Sequence, residues 1–548
     1  MTDPLRRSLC EAVDGSILMG HMRELARWVK LSGTPEECES LRYFQARLDE
    51  YGYRTKLVMH EAFISLPGKA RVDVDNRALT SITHSFSRSS PPNGVTGRLV
   101  YVGEGDTADF QGRDLRGAIV LMEGIASPGQ AALASHAGAV GQIQISPHEH
   151  LHEMCVSPVW GSPSGETQTE LPTTVVCTVS NEDGGALRER LARGEQPKVT
   201  LHAEVDTGWR QTPILEAEID GPDATGPFIL FSGHHDTWYY GAMDNGAANA
   251  TMLEVARLMA RERTKWRRGL RLCFWSGHSH GRYSGSTWYA DHYWDELERR
   301  CAVHVNVDST GGIGAVVLRN AAAAPELVAL AADAIGDQTG SDYAGKRMSR
   351  SADQSFWGIG VPAMFGALSE QPPAPVKMRN ALGWWWHTPH DLLDKIDEQN
   401  LARDTRVYVH TLWRLLTDPV LPLDFAGHAR ALLEELVTLR AMLGERLSVE
   451  SLIAAAERLH DTASVGGHDD AVLMRASRAL APMYYTSGDR FSHDPALPLP
   501  AWPVLDPLRK LAKVAPGTDS ARFLAVSATR GRNRMAHALR EAIIALAR

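Results

Sequence analysis

The sequence predicts an α/β protein: a core with a mostly parallel mixed sheet, a β-rich insert, and a helical domain at the end. Three observations carry this. Between Pro227 and about Leu416, short apolar runs (228–231, 270–275, 302–307) alternate with helical patterning, which is the signature of parallel strands buried under crossover helices. From about residue 61 to 213 the apolar runs are separated by Gly, Pro and Ser clusters, a strand-and-turn pattern. Beyond Asp418-Pro419 nearly everything is amphipathic helix.

The opening stretch reads as helices followed by a strand. Leu41, Phe44 and Leu48 recur at i, i+3 and i+7, Gly52 ends that helix, and residues 55–59 form a strand. In the insert, residues 98–102, 118–122, 140–145 and 173–179 are the strand candidates. Between the first two core strands lies a helix with Met252, Val255, Ala256 and Met259 on one face. The terminal helices are broken by a proline-rich loop from Asp494 to Pro507. The division that follows is 1–60 with 214–417 for the core, 61–213 for the insert, and 418–548 for the helical domain. With 548 residues, two or three domains are expected.

Composition removes several classes of function. Hydrophobic residues at 43% and charged residues at 22% describe a globular chain. A net charge of −9 without a basic tract gives no footprint for nucleic acid. No apolar run approaches bilayer length and the first residues lack a signal-peptide core, so no membrane partner is expected. Six scattered cysteines without a CxxC pair read as reduced thiols, which points to the cytoplasm.

The strongest chemical signal is Ser232-Gly233-His234-His235-Asp236 after a strand, with Gly241-Ala242-Met243-Asp244-Asn245-Gly246 opening the next helix. Strand ends and helix starts are where rigid backbone meets water, as an open metal site requires. In His-x-Asp the carboxylate is able to bond the far imidazole nitrogen and fix its tautomer. Taken alone, such a triplet arises often by chance, and Asp244 also fits an N-cap. Asn306-Val307-Asp308-Ser309 closes another strand, and Trp386-His387-Thr388-Pro389 leads to Asp391, Asp394 and Asp397. Several strand-end ligands together favour a two-metal site.

Residues 234–257, 306–309 and 387–397, in that order, resemble the metal motifs of the co-catalytic zinc exopeptidases related to bacterial aminopeptidases and glutamate carboxypeptidase II. Residues 349–363 resemble the family's Ser-Asp-His-x-x-Phe…Gly-Ile-Pro stretch, with Gln354 where histidine is usual. The resemblance covers roughly residues 1–417. It implies His234, Asp308 and His387 as terminal ligands, Asp244 as a bridging carboxylate, Asp236 as the group orienting His234, and a cis Asp244–Asn245 peptide. It further implies one or two zinc ions and hydrolysis of an amide bond in a small peptide or N-acyl amino acid. The insert resembles a protease-associated domain. The tail resembles, more weakly, the helical dimerisation domain of the carboxypeptidase and transferrin receptor branch, which implies a homodimer. A non-catalytic receptor-like homologue and a glutaminyl-cyclase-like transferase are the rival readings.

The sequence departs from the family at its Glu-Glu pair, general base and ligand. Counting back from Gly285-Ser286, the pair falls on Ser279 and His280. Serine is no carboxylate base, whereas His280 is able to ligate metal, and His278 too if the loop is differently spaced. A neutral histidine of pKa about 6.5 is able to deprotonate water, which makes His278 the candidate base. Arg282, four residues on, is either a bidentate holder of a substrate carboxylate or a surface arginine. Trp384-Trp385-Trp386 either walls a pocket or packs the core, and the loop His148-Glu149-His150-Leu151-His152-Glu153 matches no familiar zinc spacing.

Overall fold

The computed structural model describes residues 3–347, 350, 352–373 and 381–547, so Ser349 and Ser351 of the family-like stretch lie outside the described residues. Its main sheet is mixed, in the order Ala363–Met364, Cys301–Asn306, Phe228–His234, Gly269–Trp275, Val199–Ile219, Arg54–Val74 and Arg77–Leu79, with Val95–Gly97 paired to Val199–Ile219. The first four strands run parallel and are fully buried, as their continuous apolar character requires. The helix Ala248–Arg261 covers one face with the predicted Met252, Val255, Ala256 and Met259.

The strand expected at 55–59 is the start of a much longer one. Arg54–Val74 pairs antiparallel with Val199–Ile219 from Arg54↔Glu218 to Val74↔Val199, with one irregularity between Pro67 and Ala70. This ribbon carries the sheet out of the core into the insert. Alternation hides its length, because one face is solvated through most of the pairing and the apolar signal is diluted.

The insert holds a second sheet, ordered Ser81–Thr83, Val175–Val179, Gly141–Ile145, Ile119–Glu123 and Leu99–Tyr101, with the last four strands parallel. Parallel pairing needs crossovers, and Pro128–His136 provides a helical one between Ile119–Glu123 and Gly141–Ile145. The insert is therefore α/β in character, not simply β-rich.

After Asp418 come Phe425–Leu443, Glu450–Ser464, Asp470–Tyr485, Asp506–Lys513 and Asp519–Leu546. Pro507, expected in a loop, sits in the first turn of Asp506–Lys513, where its missing N–H costs nothing. The apolar core is continuous from the sheet residues Ile229, Phe231 and Leu272 to Leu432, Leu480 and Leu539 in these helices. Arg268 pins the two parts together. Fully buried, it donates to both Asp470 carboxylate oxygens at 2.6 and 2.7 Å and to the Leu415 and Asp418 carbonyls. Arg268→Ala is expected to cost about 3–5 kcal/mol in urea unfolding, because it strands a largely buried carboxylate. Among the described residues no helix is long and apolar enough to cross a membrane.

Candidate metal and catalytic centre

Phe228–His234 lies between Gly269–Trp275 on one side and Cys301–Asn306 on the other, so the chain reverses its direction of sheet growth at this strand. At such a switch point the carboxyl ends of neighbouring strands diverge into a crevice. His234 is the last residue of its strand, while His278 and Asp308 follow the neighbouring two. Gly233 permits the close approach: a Cβ there would lie 2.7 Å from the Val307 carbonyl oxygen. Asn245 staples the segments, donating to the His234 and Val307 carbonyls and accepting from the Ser309 amide. The Asp244–Asn245 peptide is cis. These residues open onto a cavity of about 330 Å³ lined by Asp244, His278, Asp308 and His387 among others.

Asp244 lies between two imidazoles, its Oδ1 3.0 Å from His234 Nε2 and its Oδ2 3.0 Å from His387 Nε2. The far nitrogen of each ring faces a carbonyl: His234 Nδ1 is 2.8 Å from the Asp236 oxygen, and His387 Nδ1 2.7 Å from the Glu153 oxygen. A carbonyl only accepts, so each Nδ1 carries the hydrogen and each Nε2 turns a lone pair toward Asp244. His234 Nε2 and Asp244 Oδ1 are buried without a hydrogen-bond partner. Lone pairs facing each other at this distance fit a cation held about 2.0–2.2 Å from each donor. The imidazole and carboxylate donor set suits zinc. With no cation bound, a proton takes its place on His234 Nε2. Burial opposes ionisation of His234, yet Asp244 and Asp308 hold its pKa well above the usual value. Burial likewise opposes the Asp244 carboxylate, yet His234 and His387 hold it well below the ordinary range.

Asp308 Oδ2 lies 3.8 Å from His234 Nε2, and His278 joins these two as a third potential donor within 4.8 Å. The His278 ring, however, stacks on His234 at 3.7 Å and 13° between planes. Imidazole lone pairs lie in the ring plane, so two stacked rings aim side by side and converge poorly on one ion. His278 Nδ1 is 2.8 Å from Asp353 Oδ2, and Asp353 Oδ1 accepts from Ser286 Oγ. This is a His–carboxylate dyad with Nε2 left to face the cavity. Although fully buried, Asp353 is held below the usual carboxylate range by His278.

Two expectations change. Asp236 does orient His234, but through its backbone carbonyl; its carboxylate is 3.9 Å away from Nδ1. The carboxylate instead accepts from the His278 and Ser279 amides and the Ser32 hydroxyl, holding the turn that carries His278. His280 is buried against Trp238, with Nδ1 2.9 Å from Ser32 Oγ and Nε2 without a hydrogen-bond partner, and burial pulls its pKa down to about 4. Ser279, not His280, lines the cavity. Arg282 lines it too, its guanidinium 4.7 Å from the Tyr283 ring and its Nε buried without a partner. Of the three tryptophans, Trp386 lines the cavity while Trp385 packs in the core.

Four residues without a sequence-derived role belong to the site: Asn245, Asp353, Glu153 and Asp391. Glu153 comes from the histidine-rich loop of the insert, which also places His152 Nδ1 against the Trp386 carbonyl. Asp391 accepts from the Met243 and Asp244 amides, and burial raises its pKa to about 7.

Comparison with known proteins defines the class. Residues 216–412 match peptidase family M28. In this segment and in fold, the core is similar to the M28 peptidases. "Probable glutamate carboxypeptidase VP8" of Zea mays is 22% identical over 81% of this chain and 73% of its own length. An aminopeptidase from Aneurinibacillus sp. strain AM-1 superposes with TM-score 0.57 at 22% identity, covering 75% of this chain and 96% of that one. A peptidase M28 precursor from Shewanella amazonensis SB2B superposes with TM-score 0.61 at 19% identity, covering 76% and 97%.

Proposed function

We propose that the chain is a zinc-dependent exopeptidase that cleaves the amide bond of a small peptide or N-acyl amino acid. The observation that carries this is Asp244 set between the bare Nε2 atoms of His234 and His387, with the His278–Asp353 dyad alongside. Asp244 divides the donors into His234 with Asp308 on one side and His387 on the other, which accommodates up to two ions. Bound zinc supplies Lewis acidity, lowering the pKa of water and polarising the scissile carbonyl. His278 Nε2 receives the proton of the attacking water and returns it to the departing amine. Asp353 keeps the hydrogen on Nδ1 and stabilises the imidazolium that forms. Arg282 holds the substrate carboxylate at the cavity wall, which favours cleavage at a free C-terminal residue, in keeping with the carboxypeptidase relatives.

The test is metal analysis of purified protein combined with hydrolysis of a panel of dipeptides and N-acyl amino acids, before and after chelation. Zinc with chelator-sensitive turnover is expected. Metal-free, inactive protein would favour the receptor-like reading, and cyclised product without hydrolysis the transferase. Arg282→Ala is expected to raise KM for carboxylate substrates about 10- to 100-fold with little change in kcat, the magnitude of a lost charge-assisted pair.

The insert works as a protease-associated-like cover, supported by Glu153 reaching His387. A homodimer forms through the terminal helices, supported by Phe523 and Val526 at 73% and 53% exposure. A cytoplasmic workplace is supported by six cysteines that are all free thiols.

A further inference from the structure

A second cavity of about 360 Å³ sits where the insert, the core and the loop 491–497 meet. Trp160 in its wall packs at 4.4 Å against Tyr283, which walls the catalytic cavity. Pro158, Val159, Trp160, Phe491 and Leu497 make the second cavity apolar. Its charged lining is acidic: Glu166, Glu170 and Asp291, with no lysine or arginine among the lining residues described. His136 stands 3.6 Å from Glu170 and His493 2.9 Å from Asp291, whereas Glu166, exposed at the rim, accepts from the Ser164 hydroxyl and its own amide and has no cationic partner among the described residues. An apolar chamber with an unbalanced carboxylate at its edge selects an apolar molecule carrying a positive charge.

The wall is also wired to the dyad. Trp160 Nε1 donates to Ser355 Oγ at 2.9 Å, Ser355 Oγ lies 2.9 Å from Ser286 Oγ, and Ser286 Oγ donates to Asp353 Oδ1 at 2.9 Å. Asp353 Oδ2 closes the chain on His278 Nδ1. A carboxylate only accepts, so Ser286 gives its one hydrogen to Asp353 and at 2.9 Å takes one from Ser355, which in turn accepts from Trp160. Such polarised buried chains respond as a unit when one member moves. Thr287, which lines the second cavity, also reaches Ser355 at 3.3 Å.

We propose that this cavity is an accessory site for an apolar primary amine, and that its occupancy changes the rate of hydrolysis through Trp160, Ser355, Ser286 and Asp353. The rate effect rests on the peptidase reading; the binding does not. The probe is 2-phenylethylamine, titrated calorimetrically into the full chain, with 3-phenylpropionate as the oppositely charged control. Saturable binding of the amine alone is expected. Ala132→Trp and Leu497→Trp, which fill the chamber from two partly exposed wall positions, should each abolish it. At saturation the initial rate on a dipeptide should change by about fivefold or more, a common coupling size. Trp160→Phe keeps a ring but lacks the indole N–H, and should bind the amine without the rate change. Absent binding, or binding that survives both filling variants, overturns the site. Equal binding of the acid overturns the amine assignment. Binding without a rate change, or a Trp160→Phe response equal to wild type, overturns the coupling. A chain with no hydrolysis at all overturns the coupling together with the peptidase reading, and calorimetry still decides the site.

Discussion

Asp244→Asn is expected to strip the centre of metal and lower kcat/KM by about 10³-fold or more, while the protein stays folded. The carboxylate touches both His234 Nε2 and His387 Nε2. An amide of the same shape has no negative charge and one acceptor in place of two, so it cannot serve cations on both sides. The metal-free variant should be less stable than metal-free wild type, because the neutral amide forfeits the pairing that keeps His234 protonated and Asp244 ionised. Plasma emission for bound zinc, steady-state kinetics and thermal unfolding read the three quantities on one preparation. Retained zinc with retained rate would remove Asp244 from the centre and the two-sided arrangement with it.

What was legible in the sequence tracks how local the determinant is. His234, Asp244, Asp308 and His387 stand at strand ends or helix starts that periodicity predicts, and parallel topology then gathers them without further information. The choice between His278 and His280 was not local. Arg282 and Tyr283 both adopt left-handed backbone, with φ of 48° and 71°, and Gly277 begins the turn at φ 75°. Non-glycine residues in that region carry no sequence signature, so spacing back from Gly285-Ser286 does not reveal which side chains face the cavity. In the structure His278 and Ser279 line it.

The histidine-rich loop hid for another reason. Glu153 serves His387 through backbone atoms across 234 positions, and no side-chain pattern encodes a carbonyl. In the insert, the helix Pro128–His136 is built of Ala, Gly, Ser and Gln, which blurs any apolar stripe and reads as turn. Asn181–Ala192 carries local helix signals that the strand-and-turn reading passed over, with Ser180 accepting from the Asp183 amide as N-cap and Glu182 and Asp183 in the first turn.

His278→Ala should lower kcat by about 10²- to 10⁴-fold, the range for a lost general base, with bound zinc unchanged. His280→Ala should keep its zinc and lose less than about tenfold. The geometry separates them: His278 is tied to Asp353 at 2.8 Å and stacked beside His234, whereas His280 is turned onto Trp238 and Ser32. Asp353→Asn is the decisive companion. An asparagine amide placed against Nδ1 favours the tautomer with hydrogen on Nε2, and that tautomer has no lone pair for the water's proton. A fall of about 10- to 100-fold with zinc retained is expected, as for other groups that fix a histidine's tautomer. Loss of zinc in His278→Ala would make that residue a ligand and leave the proton without an acceptor here. Loss of zinc in His280→Ala would mean that the loop rearranges when metal enters, with the later residue taking the place that the cavity now gives to Ser279.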